Sequence, residues 1–353
     1  MAYKFRPKGA RISRTRAVGI AYGQEVRALG LSAFVHHLDV SFIYRKQIPT
    51  IDPTDVTHWH ETERMFRELI TGANAKEVTL ALPEEFFYTT ILRLPLAPEK
   101  DIQSLVELHL ENHIPNVRGQ FTTECTILAR HAESMIVRAL VRRTALHAEY
   151  ARYITAHKPT GVTLESSLTA LARAVVHKDD TRQVMLLNIG THMTEVAIVA
   201  YGVTVFTATV GYGGKEVISH IHEVTQISEH EIAQLLSSQG VSTRGPHKTF
   251  HKALLLALSP IVDAAKSMLL HWGAHTKEVE LRPECNTLFV AGTHAYIQGL
   301  PEFLSRSLTI DASWADVWQG THLAEGAVPP LPLREALGFG VAIGATLKYL
   351  VKD

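Results

Sequence analysis

Three glycine-bearing turns hold the clearest chemical potential in this sequence: Gly19 to Gly23, Asn188 to Thr191, and Ala291 to Thr293. Each follows a run that reads as a β-strand. Glycine at such a turn lets a ligand approach the main chain, and exposed N–H groups there can cradle phosphate oxygens. A further group, Gly211, Gly213 and Gly214, punctuates the start of a helical region. One turn alone is an ordinary hairpin signal. Three turns, set in two chain segments of similar pattern, point to a phosphate-binding architecture.

Other constellations are weaker. Among 20 histidines, His58 and His60, and His220 and His222, sit on expected helices, where i and i+2 side chains point to different faces. His36 and His37 are adjacent on an expected strand. His271 and His275 have i,i+4 spacing, but no third ligand sits at a fitting distance, so no metal site is expected. The two cysteines, Cys125 and Cys285, have no metal or redox spacing, which fits a reducing compartment. There is no G-x-S-x-G elbow, Walker A loop or Cys/His nucleophile pattern, and no basic–aromatic interleaving of a nucleic-acid groove.

Composition bounds the class. Hydrophobic residues make up 46% and charged residues 20% of 353 residues, the profile of a globular protein large enough for two or more domains. Lys plus Arg and Asp plus Glu both total 35, so no global field favours nucleic acid. Lys4, Arg6, Lys8, Arg11, Arg14 and Arg16 form a basic stretch without acidic neighbours. No signal-peptide pattern opens the chain, and the apolar run Leu337 to Leu347 is too short to span a bilayer, so a cytoplasmic location is expected.

The elements that must position the turns follow from hydrophobic period. Strands are expected at 18–20, 26–31 and 37–44, then a helix near 56–72 capped by Asp55 and a strand at 78–82. A β-α-β-β-α block comes next: strand 86–94, helix 99–113, strands 121–128 and 135–141, and a helix from Thr144 to about 157. A brief strand at 162–164 leads into a helix opened by Glu165. Strands at 184–189, 194–200 and 203–210 echo the first three, which reads as an internal duplication. Helices fill 215–274, where Ser228 and Glu231 form a capping box for a helix starting at Glu229. A strand at 287–290, a helix at 296–307 and a final helix at 333–350 complete the chain. The expected class is α/β, with a first-lobe sheet in 1–85 completed by the helix 333–353 and an inserted small subdomain in 86–161. An interdomain helix falls in 162–180, a second-lobe sheet in 181–214 and 285–332, and a second-lobe helical subdomain in 215–284.

With the turns placed on this layout, the chain resembles the actin-like (ribonuclease H-like) two-lobed superfamily, and within it the PilM family of type IV pilus assembly proteins, relatives of FtsA. The resemblance rests on ALP at 81–83, ILRLPL at 91–96 and PEKDIQSLVELHLENHIP at 98–115. VTLESSLTALARA at 162–174, FTATVGYGGKEVISHIHEVTQISEHEIAQLL at 206–236 and VAGTHAYIQGLPEFL at 290–304 extend it. It implies a nucleotide site formed by Gly19, Gly23, Asn188, Gly190, Thr191, Gly213, Gly214, Gly292 and Thr293.

The sequence departs from the family pattern at that implied site. Ala21 stands where the family has a metal-binding Asp, in a loop one residue shorter, and alanine offers no oxygen ligand. Glu25 adds a negative charge nearby. Asn188 replaces another Asp, Ile232 to Leu236 lacks the nucleoside-facing Glu and Lys, and Ala291 replaces the first of a glycine pair. Glu165 is left as the carboxylate that would position water if the site were active, although an acid at a helix start is also favoured by the dipole. Phosphoryl transfer depends on metal and positioning. The resemblance and these departures together imply a pseudo-ATPase, with no resident cofactor and with ATP and Mg²⁺ only if the degenerate site still binds.

In the family, the fold is a cytoplasmic scaffold that binds the N-terminal tail of the membrane protein PilN. The implied partner is therefore a PilN-like tail, with a pilus motor ATPase and self-association as further contacts, and a peripheral place at the inner membrane. Arg93, Leu94, Leu96, Ile102 and Leu105 are the expected groove residues. The alternative is an active nucleotide-driven ATPase or FtsA-like filament protein.

Overall fold

The computed structural model describes residues 2–4, 15–23, 25–33, 38–47, 56–111, 114, 120–155, 159–177, 179–241, 248–278, 284–321 and 328–350. Residues 5–14 of the basic stretch, Gln24, the His36–His37 pair, Asp55, the loop 242–247 and the side chains of His58 and His60 lie outside that description. The chain divides into two compact units, Met1–Lys178 with Val317–Pro330 and Phe339–Asp353, and Asp179–Asp316 with Leu331–Gly338.

The first unit begins with strands β1 (Ala2–Lys4), β2 (Thr15–Ala21), β3 (Glu25–Ala33) and β4 (Leu38–Gln47), helix α1 (Val56–Ala73) and strand β5 (Glu77–Leu82). Strands β6 (Phe87–Pro95), β7 (Phe121–Arg130) and β8 (Ser134–Arg143) and helices α2 (Glu99–Leu110) and α3 (Thr144–Thr155) follow, then β9 (Gly161–Ser166) and α4 (Ser167–Val175). The main sheet has the order β1-β4-β3-β2-β5-β9. The β2–β3–β4 meander is antiparallel, while β5 and β9 run parallel to β2. Val18, Ile20, Val26, Ala28, Leu80 and Leu82 point to one face, as period-two alternation requires. They pack against Met65, Phe66, Leu69 and Ile70, which recur at helical spacing along α1, and against Tyr150 and Ile154 of α3. On the other face lies the C-terminal helix Gly340–Leu347, set against β2, β3 and α4.

The inserted subdomain has its own three-stranded antiparallel sheet, β6-β8-β7. Leu92 and Leu94 of β6 and Met135, Val137, Ala139 and Val141 of β8 meet Ile102, Val106 and Leu110 of α2 in one apolar core.

The second unit repeats the first in topology. It contains β10 (Gln183–Ile189), β11 (Thr194–Ala200), β12 (Val203–Val210), α5 (Gly214–Thr225), α6 (Glu229–Ser238), α7 (Lys248–Glu278), β13 (Cys285–Ala291), α8 (Leu300–Leu308) and β14 (Asp311–Trp314). Its sheet order, β12-β11-β10-β13-β14, matches β4-β3-β2-β5-β9 strand for strand, with an antiparallel meander followed by two parallel strands. The internal duplication read from the sequence is present. Helix α7 is long and apolar enough to cross a membrane by length and composition. Its apolar residues nevertheless follow helical spacing: Phe250, Ala253, Leu254, Ala257, Leu258, Ile261, Ala265 and Trp272 are buried. Lys252, Asp263 and Lys266 lie on the exposed side, so the helix is built as a core helix of this unit.

Four expectations are corrected. The helix expected at Glu165 starts at Ser167: β9 continues through Ser166 in register with β5, and the Ser166 hydroxyl then caps the helix by accepting from the Thr169 N–H at 3.1 Å. The helix expected from Tyr296 begins at Leu300, because Gly299 adopts φ +73° and Pro301 enters the first turn. Strand β14 was not foreseen; four residues carry too little pattern, and its pairing beside β13 is non-local. The helix expected at 333–350 is broken into α9 (Leu333–Ala336), a 3-10 turn (Leu337–Phe339) and α10 (Gly340–Leu347), in a stretch where Gly338 and Gly340 weaken helical propensity.

Candidate functional site

In the first unit, the glycine-bearing turn joins β2 to β3, and its two glycines have different uses. Gly19 lies inside β2, where a Cβ would sit 2.1 Å from the Ala342 carbonyl oxygen and 2.4 Å from the Thr346 nitrogen. Its N–H donates to Thr346 Oγ1 at 3.0 Å, and that hydroxyl lies 2.9 Å from the Leu29 carbonyl and 2.7 Å from the Ala342 carbonyl, either of which can accept its proton. Gly19 therefore seats α10 on the sheet. Gly23, at the turn, faces open space, with Pro83 Cγ 4.0 Å from an added Cβ. Ala21 ends β2, and its methyl side chain offers no oxygen ligand.

Glu25 opens β3 and forms ion pairs with Arg27, two residues along, and with Arg45, the cross-strand partner of Arg27. The negative charge expected beside the turn is thus matched by two guanidinium groups. Arg27 is buried, and its guanidinium carbon lies 5.6 Å from the centre of the Phe339 ring. Burial pushes its pKa down to about 10, against the pull of Glu25.

Glu165 lies near the end of β9, with its carboxylate gripped by Arg173 of α4. Nη1 donates to Oε1 at 2.8 Å and Nη2 to Oε2 at 2.6 Å, while Nη1 also reaches the Gly344 carbonyl at 2.8 Å. This bidentate clamp ties α4, β9 and α10 together.

In the second unit, the structure brings Asn188, Gly190, Thr191, Gly213, Gly214 and Gly292 into one neighbourhood. Asn188 pairs with Ala291 across the parallel β10–β13 contact, and its Nδ2 donates to Glu195 Oε2 at 2.7 Å. Gly292, at φ +107°, brings its Cα against Ile189 and Asn188 Oδ1, and an added Cβ would lie 2.4 Å from the Ile189 oxygen. Thr293 follows it in the turn. The hairpin tip folds onto the start of α5: the Gly214 N–H donates to the Gly190 carbonyl at 2.9 Å, and the Lys215 N–H to the Thr191 carbonyl at 2.8 Å. The Gly213 N–H donates to Glu216 Oε2 at 2.9 Å, and His192 Nδ1 lies 2.8 Å from Glu216 Oε1. Burial acts to raise the Glu216 carboxyl, but the bonds from His192 and Gly213 outweigh it and hold it below its ordinary value. An added Cβ on Gly214 would meet the His294 ring, 1.9 Å from Cγ. Each of these glycines is in close contact with the chain itself. On α6, Leu236 is buried, while Ala233 is half-buried.

The expected groove residues separate in the inserted subdomain. Leu94 and Ile102, each 4% exposed, belong to its core, where they hold α2 to the sheet and are closed to a partner. Leu105 packs half-buried on that core. Leu96 is 46% exposed, and Arg93 is exposed with Nε donating to Ser134 Oγ at 3.3 Å. The sheet face opposite α2 was missed. It carries Arg138, the partner of Ile91, and Arg142, the partner of Phe87, with Glu124 3.8 Å and 3.7 Å from the two guanidinium groups. Their signal was in the sequence: two arginines four apart share a strand face and interrupt an apolar run.

The remaining candidates are engaged locally. His271 Nδ1 is 2.7 Å from the Ser267 oxygen and His275 stacks on Phe206. Among the described residues no group of three or more His, Cys, Asp or Glu side chains could hold a metal ion. Burial pushes the thiols of Cys125 and Cys285 up to about 11 and about 12, away from nucleophilic reactivity.

The sequence profile of the family described as "Type IV pilus assembly protein PilM" matches residues 64–350. Among solved structures, the fold is similar to a "PilM-PilN type IV pilus biogenesis complex", with TM-score 0.73, 16% identity, and coverage of 95% of this chain and 99% of that one. It is also similar to MreB5 of Spiroplasma citri bound to ADP (TM-score 0.54, 11% identity, coverage 95% and 96%). The ethanolamine utilization protein EutJ from Carboxydothermus hydrogenoformans gives TM-score 0.51 at 14% identity, covering 95% and 90%. A sequence comparison with curated proteins finds no match.

Proposed function

The chain belongs to the PilM family of type IV pilus assembly proteins, and from that premise we propose that it is an actin-like scaffold that holds the N-terminal tail of a PilN-like membrane protein without hydrolysing ATP. The carrying observation is the contrast between two regions. The inserted subdomain is complete, with its own core and a charged, partly exposed sheet, whereas the glycines of the implied nucleotide site, Gly23 excepted, are packed against the protein's own chain. Docking an extended peptide requires a surface and hydrogen-bond partners and needs no metal. Loss of the metal carboxylate at Ala21, the amide at Asn188 and the Arg173 clamp on Glu165 all weigh against phosphoryl transfer. This role places the protein at the cytoplasmic side of the inner membrane through its partner, with a motor ATPase or a second copy as further contacts.

The experiment is a fluorescence anisotropy titration of the full chain with the labelled tail peptide of a PilN-like protein. The intact chain should bind. The surface pair Arg93→Glu with Leu96→Glu, which leaves the core untouched, should weaken binding by about tenfold. Absence of binding by the intact protein sinks the proposal. Calorimetry with MgATP tests the other half: binding in the low-micromolar range would contradict a lost nucleotide site.

A further inference from the structure

We propose that the second-unit glycine cradle is closed by a built-in plug, in which the Glu216 carboxylate stands in for a bound anion and the His294 ring fills the space over Gly214. This rests on the reading that the chain keeps an actin-like layout with an unused nucleotide site; it adds what keeps nucleotide out.

The first amides of α5 are taken by internal acceptors: Gly213 by Glu216, Gly214 by Gly190 and Lys215 by Thr191. Of those acceptors only Glu216 is an acid, and it sits where the amides and the dipole of a helix start favour negative charge. His192, at the hairpin tip, fixes the second oxygen of the same carboxylate. An incoming phosphate would have to displace that carboxylate or lie beside it, and like charges at such range repel. On the neighbouring side, His294 packs so closely on Gly214 that even a methyl there would collide with the ring. The backbone N–H of His294 donates to the Ile189 carbonyl at 3.0 Å, which anchors the residue at this turn, and its ring stands 5.8 Å from the Tyr296 ring. A sugar or base cannot lie on Gly214 while the imidazole is there. Two side chains, one charged and one bulky, thus exclude the two parts of a nucleotide.

The test is equilibrium dialysis of radiolabelled ADP with Mg²⁺ against the full-length protein at up to about 1 mM ligand. The wild type should retain no ADP up to that concentration, and Glu216→Gln with His294→Ala should bind with a Kd at least about tenfold below it. Glu216→Gln alone keeps the shape and an acceptor for the Gly213 N–H, and it too should gain affinity, with its circular dichroism spectrum checking that it folds. If neither the wild type nor either variant retains ADP, the plug is overturned while the reading of an unused site stands. If the wild type binds ADP as well as the variants do, the unused-site reading itself fails.

Discussion

At the scale of single residues, glycines that look like ligand contacts divide according to what their missing side chain admits. Gly19 admits a helix backbone and Gly23 admits open space. Gly19→Ala should therefore destabilise the protein by about 3 kcal/mol, through overpacking against Ala342 and Thr346. Gly23→Ala should stay within about 0.5 kcal/mol. Urea melts of the two variants check this; equal effects would mean that the β2–α10 contact is not the reason for Gly19. Glu165 shows the same shift of meaning. Its type and place suggest a helix-start acid, or a water-positioning carboxylate if the site were active; in the structure both of its oxygens accept from Arg173, and the pair joins α4 to β9.

At the scale of elements, α7 and α10 show how apolar helices are to be read. Helix α10 is short, with Gly340 and Gly344 allowing it to approach α4 so closely that an added Cβ on Gly344 would lie 1.7 Å from the Ala170 oxygen. Small residues replace side-chain bulk with backbone proximity, and Thr346 satisfies the Gly19 N–H at the contact. Helix α7 has the length and composition of a membrane span, and burial separates its two faces. Leu254 is fully buried and Leu256 is 65% exposed. Leu254→Asp should cost more than about 4 kcal/mol by burying an unpaired charge, and Leu256→Asp less than about 0.5 kcal/mol. Thermal denaturation followed by circular dichroism gives both values, and a large loss in Leu256→Asp would contradict a one-sided core helix.

At the scale of the whole molecule, the same five-strand order occurs twice, and family membership gives this duplicated frame a place in pilus assembly. In cells that make the PilN-like partner, the protein should sediment with inner membranes and be released by alkaline carbonate. Deleting the partner should move it to the supernatant, as fractionation with immunoblotting would show. Retention on membranes without the partner would point to a direct lipid contact instead. Much of this was legible in the chain: the β2–β3–β4 and β10–β11–β12 meanders, the β-α-β-β-α insertion and the Ser228 helix start all follow from period, turn residues and capping, which are local properties. The start of α4 at Ser167 and the existence of β14 were not, because both depend on parallel pairing with strands distant in sequence. The same holds at the candidate site. Sequence alone determined that glycines, Ala21 and Asn188 stand at the turns, and so which oxygens are missing. Only the tertiary structure decided that Gly19 receives α10, that Leu94 and Ile102 are core, and that His294 closes on Gly214 beside the local Glu216–Gly213 cap, because these contacts between distant residues are set by non-local packing that no local pattern encodes.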